Sequence, residues 1–157
     1  MAVNPMTEQE YARTKKFVKH FAKLNVLVYR LTGGRLMGTF QGREVCLVKM
    51  KGAKSGVEKW IPLMYVPIEE GNPKAGAIIV ASLGGAPKHP VWYHNLVKHP
   101  DVEVQYKSDV VKLRARRVSA EEKARLWPTC VKHYPPFEEY QARTDRDIPV
   151  FACEPRA

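Results

Sequence analysis

The chain has 157 residues, 45% of them hydrophobic and 27% charged, a balance that fits one globular domain with its own core and argues against disorder. Lys plus Arg number 26 against 16 Asp plus Glu, a formal net charge of +10, which favours a polyanion (nucleic acid, an anionic membrane or a phosphorylated cofactor) without choosing among them. The three cysteines, Cys46, Cys130 and Cys153, lie far apart and off metal-ligand spacing, so they are expected as buried small apolar residues in a reducing compartment.

The opening residues, MAVNPMTEQEYARTKK, carry no early apolar core with a cleavage site, and no apolar run is long enough to span a bilayer. The expected location is the cytoplasm, with peripheral attachment at the inner face of the cell membrane as an option. Residues 7–31 read as a helix. Thr7 and Glu10 form a capping box, and Gly33 and Gly34 end it. Phe17, Phe21, Leu24, Val28 and Leu31 follow one face, widened by Val18, Ala22 and Tyr29, while Lys15, Lys16, Lys19, His20, Lys23 and Arg30 take the other. Two readings stay open: a helix docked on the core with a solvated basic face, or an amphipathic helix lying in a membrane interface.

Residues 44–51 (EVCLVKMK) and 59–66 (KWIPLMYV) read as strands around a Lys54-Ser55-Gly56 turn, with Pro62 marking an edge or bulge. After a turn at 70–73, residues 76–82 (GAIIVAS) read as a buried strand. The loop LGGAPKHP leads into a short helix at 91–98, and 102–106 with 110–118 form a hairpin. Ser119 and Glu122 make a second capping box on a helix that Pro128 should interrupt or kink. Pro135 and Pro136 start another short helix, and 148–153 forms the last strand. The expected fold is α+β: one domain over 1–157, its mostly antiparallel sheet curled into a small barrel, with an N-terminal amphipathic helix and flanking short helices.

Three segments could carry chemistry. Lys51-Gly52-Ala53-Lys54-Ser55-Gly56 is a Gly-flanked basic turn that suits an anion, although its spacing is not that of a Walker loop. Ser82-Leu83-Gly84-Gly85-Ala86-Pro87-Lys88-His89-Pro90 runs from a strand into the start of a helix, where free amides and the helix dipole suit phosphate. Trp92 on that helix would pack either the core or a planar ring. Tyr134, Phe137 and Tyr140 form an aromatic strip that would pack the core or cap a flat substrate with a hydroxyl to donate. His89, His94 and His99 are spaced by five and do not share a helical face, so no metal site is expected. No Gly-x-Ser-x-Gly elbow is present.

In their order and spacing these segments resemble the nitroreductase-like family of deazaflavin-dependent reductases. The matching stretches are Gly38-Thr39-Phe40, Gly52-Ala53-Lys54-Ser55-Gly56, Pro62-Leu63, Ser82-x-Gly84-Gly85-Ala86-x-Lys88-x-Pro90-x-Trp92-Tyr93-x-Asn95-Leu96, Trp127-Pro128, Tyr134-Pro135, Tyr140-Gln141, Thr144-Asp145-Arg146-x-Ile148-Pro149 and Cys153-Glu154-Pro155. The resemblance implies a split β-barrel that binds coenzyme F420 in a groove. It places Lys54, Ser55, Gly56, Pro62, Leu63, Met64, Ala81, Ser82, Gly84, Gly85, Lys88, Trp92 and Asn95 at the cofactor and Phe137 and Met64 in the substrate pocket; the proton the acceptor needs would come from Tyr134, from Tyr140 or from solvent. The chain departs from the family at Ala53, where arginine is usual, at Leu83, where some members carry lysine, and at Phe137 and Met64, where nitroimidazole-reducing members carry tyrosines.

The implied function is hydride transfer from reduced F420 to a small electron-poor acceptor such as a quinone or activated alkene (enone), with weak or absent turnover of bicyclic nitroimidazoles. Two alternatives are an FMN-dependent split-barrel reductase and a non-catalytic polyanion or cofactor binder. No recognised nucleic-acid motif is present, so no nucleic-acid partner is expected.

Overall fold

The computed structural model describes residues 4–156. Helix α1 spans Glu8–Thr32. Its capping box forms as expected: Thr7 N donates to Glu10 Oε2 at 2.7 Å and Glu10 N to Thr7 Oγ1 at 3.2 Å. Gly33 closes the helix in the left-handed conformation.

Among the described side chains, α1 buries only part of the expected apolar face. Leu24, Leu27 and Leu31 are 60%, 58% and 77% exposed, and Phe17 is more than half exposed. The buried ones among the described side chains are Tyr29, on the expected face, and Asn25, one helical turn earlier. Asn25 Nδ2 donates to the Met37 carbonyl at 2.9 Å. The Tyr29 hydroxyl accepts from Lys107 N at 2.6 Å and donates to the Gln105 carbonyl at 3.5 Å. Polar anchors therefore seat this helix, and its leucines face outward. Arg30 lies over the Trp60 ring, 4.3 Å from its centroid. The side chains of Val18, His20, Phe21 and Ala22 lie outside the described residues.

The strands are β1 (Thr39–Phe40), β2 (Arg43–Lys51), β3 (Glu58–Met64), β4 (Val66–Pro67), β5 (Ala77–Val80), β6 (Asp101–Tyr106), β7 (Asp109–Arg117) and β8 (Val150–Pro155). They run in the order β1-β2-β6-β7-β8-β5-β4, with β3 paired to β2. The pairings among the described residues are antiparallel. Tyr65 alone separates β3 from β4. One continuous segment thus lies against β2 (Met64 opposite Val45) and then against β5 (Val66 opposite Ile78), which curls the sheet back on itself. This is the expected split barrel. Pro62 sits in β3, whose strand partner among the described residues is β2, so the missing N–H leaves the ladder intact on the edge side.

The remaining helices are α2 (Val91–Lys98), α3 (Ala120–His133) and α4 (Pro136–Ala142). Pro128 does not interrupt α3. It is exposed, as is Ala124 one turn earlier, whose carbonyl has lost its helical donor and can meet water instead. The last strand begins at Val150, not at Ile148, because the Ile148 amide donates to Gln141 Oε1 and so caps the approach.

Alternation along the strands builds two cores. Cys46, Val48, Ile79, Val104, Leu113 and Phe151 fill the barrel. Ile78, Val80, Val150 and Ala152, one residue out of phase, pack against Cys130, Tyr134 and Phe137 of the α3–α4 layer. β5 and β8 are covered on both faces, which explains why 76–82 reads as an unbroken apolar run. The three cysteines are buried and unpaired, and burial pushes the Cys46 thiol up to about 12.

Candidate active site

A cavity of ≈ 350 Å³ opens where β3, the loop after β5, α2 and α4 converge beneath the first half of α1. That volume suits a small molecule. Pro62, Leu63 and Met64 come from β3, Ser82, Leu83 and Gly84 from the loop, Trp92 from α2, and Tyr134, Phe137 and Tyr140 from the α3–α4 junction. Residues far apart in sequence but singled out together thus share one wall. Phe137 and Met64, where hydroxyl-bearing side chains are replaced, both face this space.

The loop has an unusual backbone. Ser82 is right-handed helical, and Leu83, Gly84 and Gly85 follow at φ of 43°, 64° and 80°. Gly85 N donates to the Ser82 carbonyl and Ala86 N to the Leu83 carbonyl. The amides of Leu83 and Gly84 have no protein acceptor among the described residues, an arrangement that forms a concavity for an anion. α2 begins just beyond, with no side-chain cap on its first amides.

Other expected site residues lie behind or beside the cavity. Ala81 is fully buried, its N–H given to the Pro149 carbonyl and its own carbonyl held by Arg146. Gly85 is buried under Tyr140. Both shape the wall without lining it. Lys54, Ser55 and Gly56 form an exposed turn outside the cavity, and Lys88 is exposed on its own loop. Ser55 Oγ accepts from Val57 N at 3.2 Å. Asn95 Oδ1 accepts from Ala53 N at 2.9 Å, and Lys98 Nζ donates to the Ala53 carbonyl at 2.8 Å. Asn95 therefore braces the basic turn against α2.

The two tyrosines form a coupled pair. Their hydroxyls are 2.9 Å apart, and Tyr134 Oη also donates to Gln41 Oε1 at 3.2 Å. Tyr134 is buried, and burial followed by the Tyr140 hydrogen bond holds its hydroxyl far above the ordinary tyrosine value. It stays protonated through the neutral range. Tyr140 is only partly buried and also lines the cavity. It is the better placed of the two to reach a ligand; with Tyr134 donating to Gln41, the Tyr140 proton points to Tyr134 and would turn to an acceptor bound in the cavity.

Sequence reasoning missed part of the lining. Met6, Thr14 and Phe17 of the N-terminal segment roof the cavity, and Arg143 stands at its margin. Arg143 donates to the Asn4 carbonyl at 3.1 Å and pairs with Glu10 at 3.4 Å, which ties the start of α1 to the end of α4. The apolar residues Met6 and Phe17 gave the only signal, and it pointed equally to a docked helix. Among the described residues no group of three metal-ligating side chains converges.

Residues 21–155 match the family model described as F420H(2)-dependent quinone reductase. A putative F420H(2)-dependent quinone reductase of Mycobacterium tuberculosis is 38% identical over 110 residues, covering 70% of this chain and 88% of that protein. A second M. tuberculosis protein, described as an F420H(2)-dependent quinone reductase, is 34% identical over 132 residues, covering 82% and 85%. Among solved structures, one titled as an F420-H2 dependent reductase (FDR-A) shares 44% identity at a TM-score of 0.63, covering 70% of this chain and 93% of that one.

Proposed function

The chain belongs to the F420H(2)-dependent quinone reductase family, and we propose that the cavity between β3, the 82–86 loop and α4 is where it brings reduced coenzyme and acceptor together. It is an oxidoreductase, its cofactor is coenzyme F420 and its acceptor is a quinone. The family sets aside the FMN-dependent and non-catalytic alternatives.

The observation that carries the site assignment is the pairing of an apolar, aromatic cavity with the amides of Leu83 and Gly84 at its edge, which have no acceptor among the described residues. Flat apolar walls suit the deazaflavin ring, and the amides suit its anionic arm. Lys54 and Lys88, exposed outside the cavity, supply charge for the more distant tail. When bound, the reduced coenzyme supplies the hydride. Met64, Trp92 and Phe137 hold the acceptor flat and exclude water, and Tyr140 donates a proton to the acceptor oxygen as negative charge develops there. Cyclic enones offer the same kind of electrophile and are further acceptors under this reading. Steady-state oxidation of reduced F420 should be fast with a quinone and slow with a bicyclic nitroimidazole. Equal rates with both would show that the hydroxyls absent from Phe137 and Met64 do not govern selection.

The reading extends to location. No helix among the described residues is long and apolar enough to cross a membrane. Leu24, Leu27 and Leu31 form an exposed strip on α1, beside exposed Lys16, Lys23 and Arg30. Seated on the barrel through Asn25 and Tyr29, α1 thus keeps an outward apolar strip flanked by cations, which supports contact of that face with a membrane interface. The chain would then work peripherally at the cytoplasmic face of the membrane, where apolar quinones concentrate. Co-sedimentation with liposomes should rise with anionic lipid and fall with salt. No binding to anionic liposomes at low salt would reject the membrane role.

A further inference from the structure

Arg146 lies between α4 and β8 and does not line the cavity. Its half-buried guanidinium is spent almost wholly on the neighbouring loop. Nε donates to the Ala86 carbonyl at 3.1 Å, one terminal nitrogen to the Ala81 carbonyl at 3.1 Å, and the other to the Ser82 carbonyl at 2.9 Å. The nitrogen on Ala81 also meets His89 Nδ1 at 2.9 Å. Among the described residues no carboxylate stands within ion-pair distance of it. Its neighbour Asp147 is engaged by Lys123 at 2.6 Å and by Arg117 at 3.9 Å.

These three carbonyls bracket the left-handed run. Ala81 and Ser82 precede Leu83, Gly84 and Gly85, and Ala86 follows them. Leu83 is not glycine and resists a positive φ, so something must hold it there. Drawing the flanking carbonyls onto one guanidinium does so, and it leaves the Leu83 and Gly84 amides without acceptors beside the cavity. Arg146 is itself fixed: its amide donates to Thr144 Oγ1 at 3.1 Å, and its carbonyl accepts from Gln141 Nε2 at 2.8 Å.

We infer that Arg146 is a positioning residue for the anionic arm of the coenzyme. It shapes the 82–86 loop into an anion-binding concavity and places its positive charge behind it. Lysine is no substitute, because one ammonium cannot span three carbonyls as the planar fork does. The inference rests on the F420 reading above.

The test compares wild type, Arg146→Lys and Arg146→Met by fluorescence titration with two ligands: F420, and the deazaflavin ribityl core that carries no phosphate. Thermal melts accompany each titration. Both variants should lose about tenfold or more in affinity for F420 while keeping their affinity for the phosphate-free core. Unchanged F420 affinity in both variants overturns the inference, as does equal weakening of the two ligands. Arg146→Lys keeps the stem and the cation and is read alone if Arg146→Met does not fold. Loss of folding in both marks a purely structural arginine and also overturns it. A wild-type protein that binds neither ligand refutes the F420 reading itself, a result distinct from these.

Discussion

Gly85→Ala is expected to remove most of the activity and to destabilise the fold. Gly85 has φ of 80°, and a Cβ there would stand 2.5 Å from the Tyr140 carbonyl oxygen and 3.0 Å from its Cα. Those are backbone atoms of α4, not the end of a flexible side chain. The left-handed conformation costs a non-glycine residue roughly 1–2 kcal/mol, and forcing extra volume into a packed contact adds about 1–3 kcal/mol. The strain is relieved by moving α4, which carries Phe137 and Tyr140. A displacement of about 1 Å at reacting groups can cost on the order of 100-fold in rate. Gly84→Ala is the control. Its φ is 64°, but the new Cβ would meet only Met6 Cε, at 3.5 Å. It should lower stability by roughly 1–2 kcal/mol through backbone conformation alone and leave α4 in place. Melting curves and quinone turnover on both variants decide the matter. If Gly85→Ala matches Gly84→Ala in both, α4 is not seated on the loop as described.

Tyr140→Phe is expected to lower kcat with a quinone by about 100-fold, the lower range for removal of a general acid, with little change in coenzyme affinity. Tyr134→Phe should lower kcat less. It removes the hydroxyl behind Tyr140 and the tie to Gln41, and costs about 1 kcal/mol of stability as a buried hydrogen bond is lost. Burial holds the Tyr134 hydroxyl above its ordinary value, so the hydrogen bonds it makes should persist through the neutral range and be lost only on the alkaline side. Unchanged kcat in Tyr140→Phe would mean that solvent delivers the proton.

Local signals in the sequence were dependable where one residue type has one use. Thr7 with Glu10, the Lys54-Ser55-Gly56 turn and the 101–117 hairpin all form near their expected places. Composition misled where a polar group does the anchoring. The apolar stripe of α1 included Tyr29, which is buried, but also Phe17, Leu24 and Leu31, which are exposed, and it left out Asn25, buried and held by a hydrogen bond that no periodicity reveals. The two-residue strands β1 and β4 are too short to leave a pattern, yet β4 is what brings β3 round to β5. Within the site, the loop and the aromatic strip were legible because Gly-Gly and a Tyr-Phe-Tyr spacing are conspicuous. Gln41, 93 residues from Tyr134, and Arg146, 64 residues from Ser82, act through contacts that only the fold creates.

The central claim is that this cavity and its loop are built for a deazaflavin coenzyme with an anionic arm. Fluorescence titration of the purified protein with F420 and, separately, with FMN tests it most directly. The account predicts saturable F420 binding far tighter than FMN binding, and an F420 affinity that weakens as salt is raised, since exposed Lys54 and Lys88 are screened. FMN binding as tight as that of F420, or tighter, would contradict it.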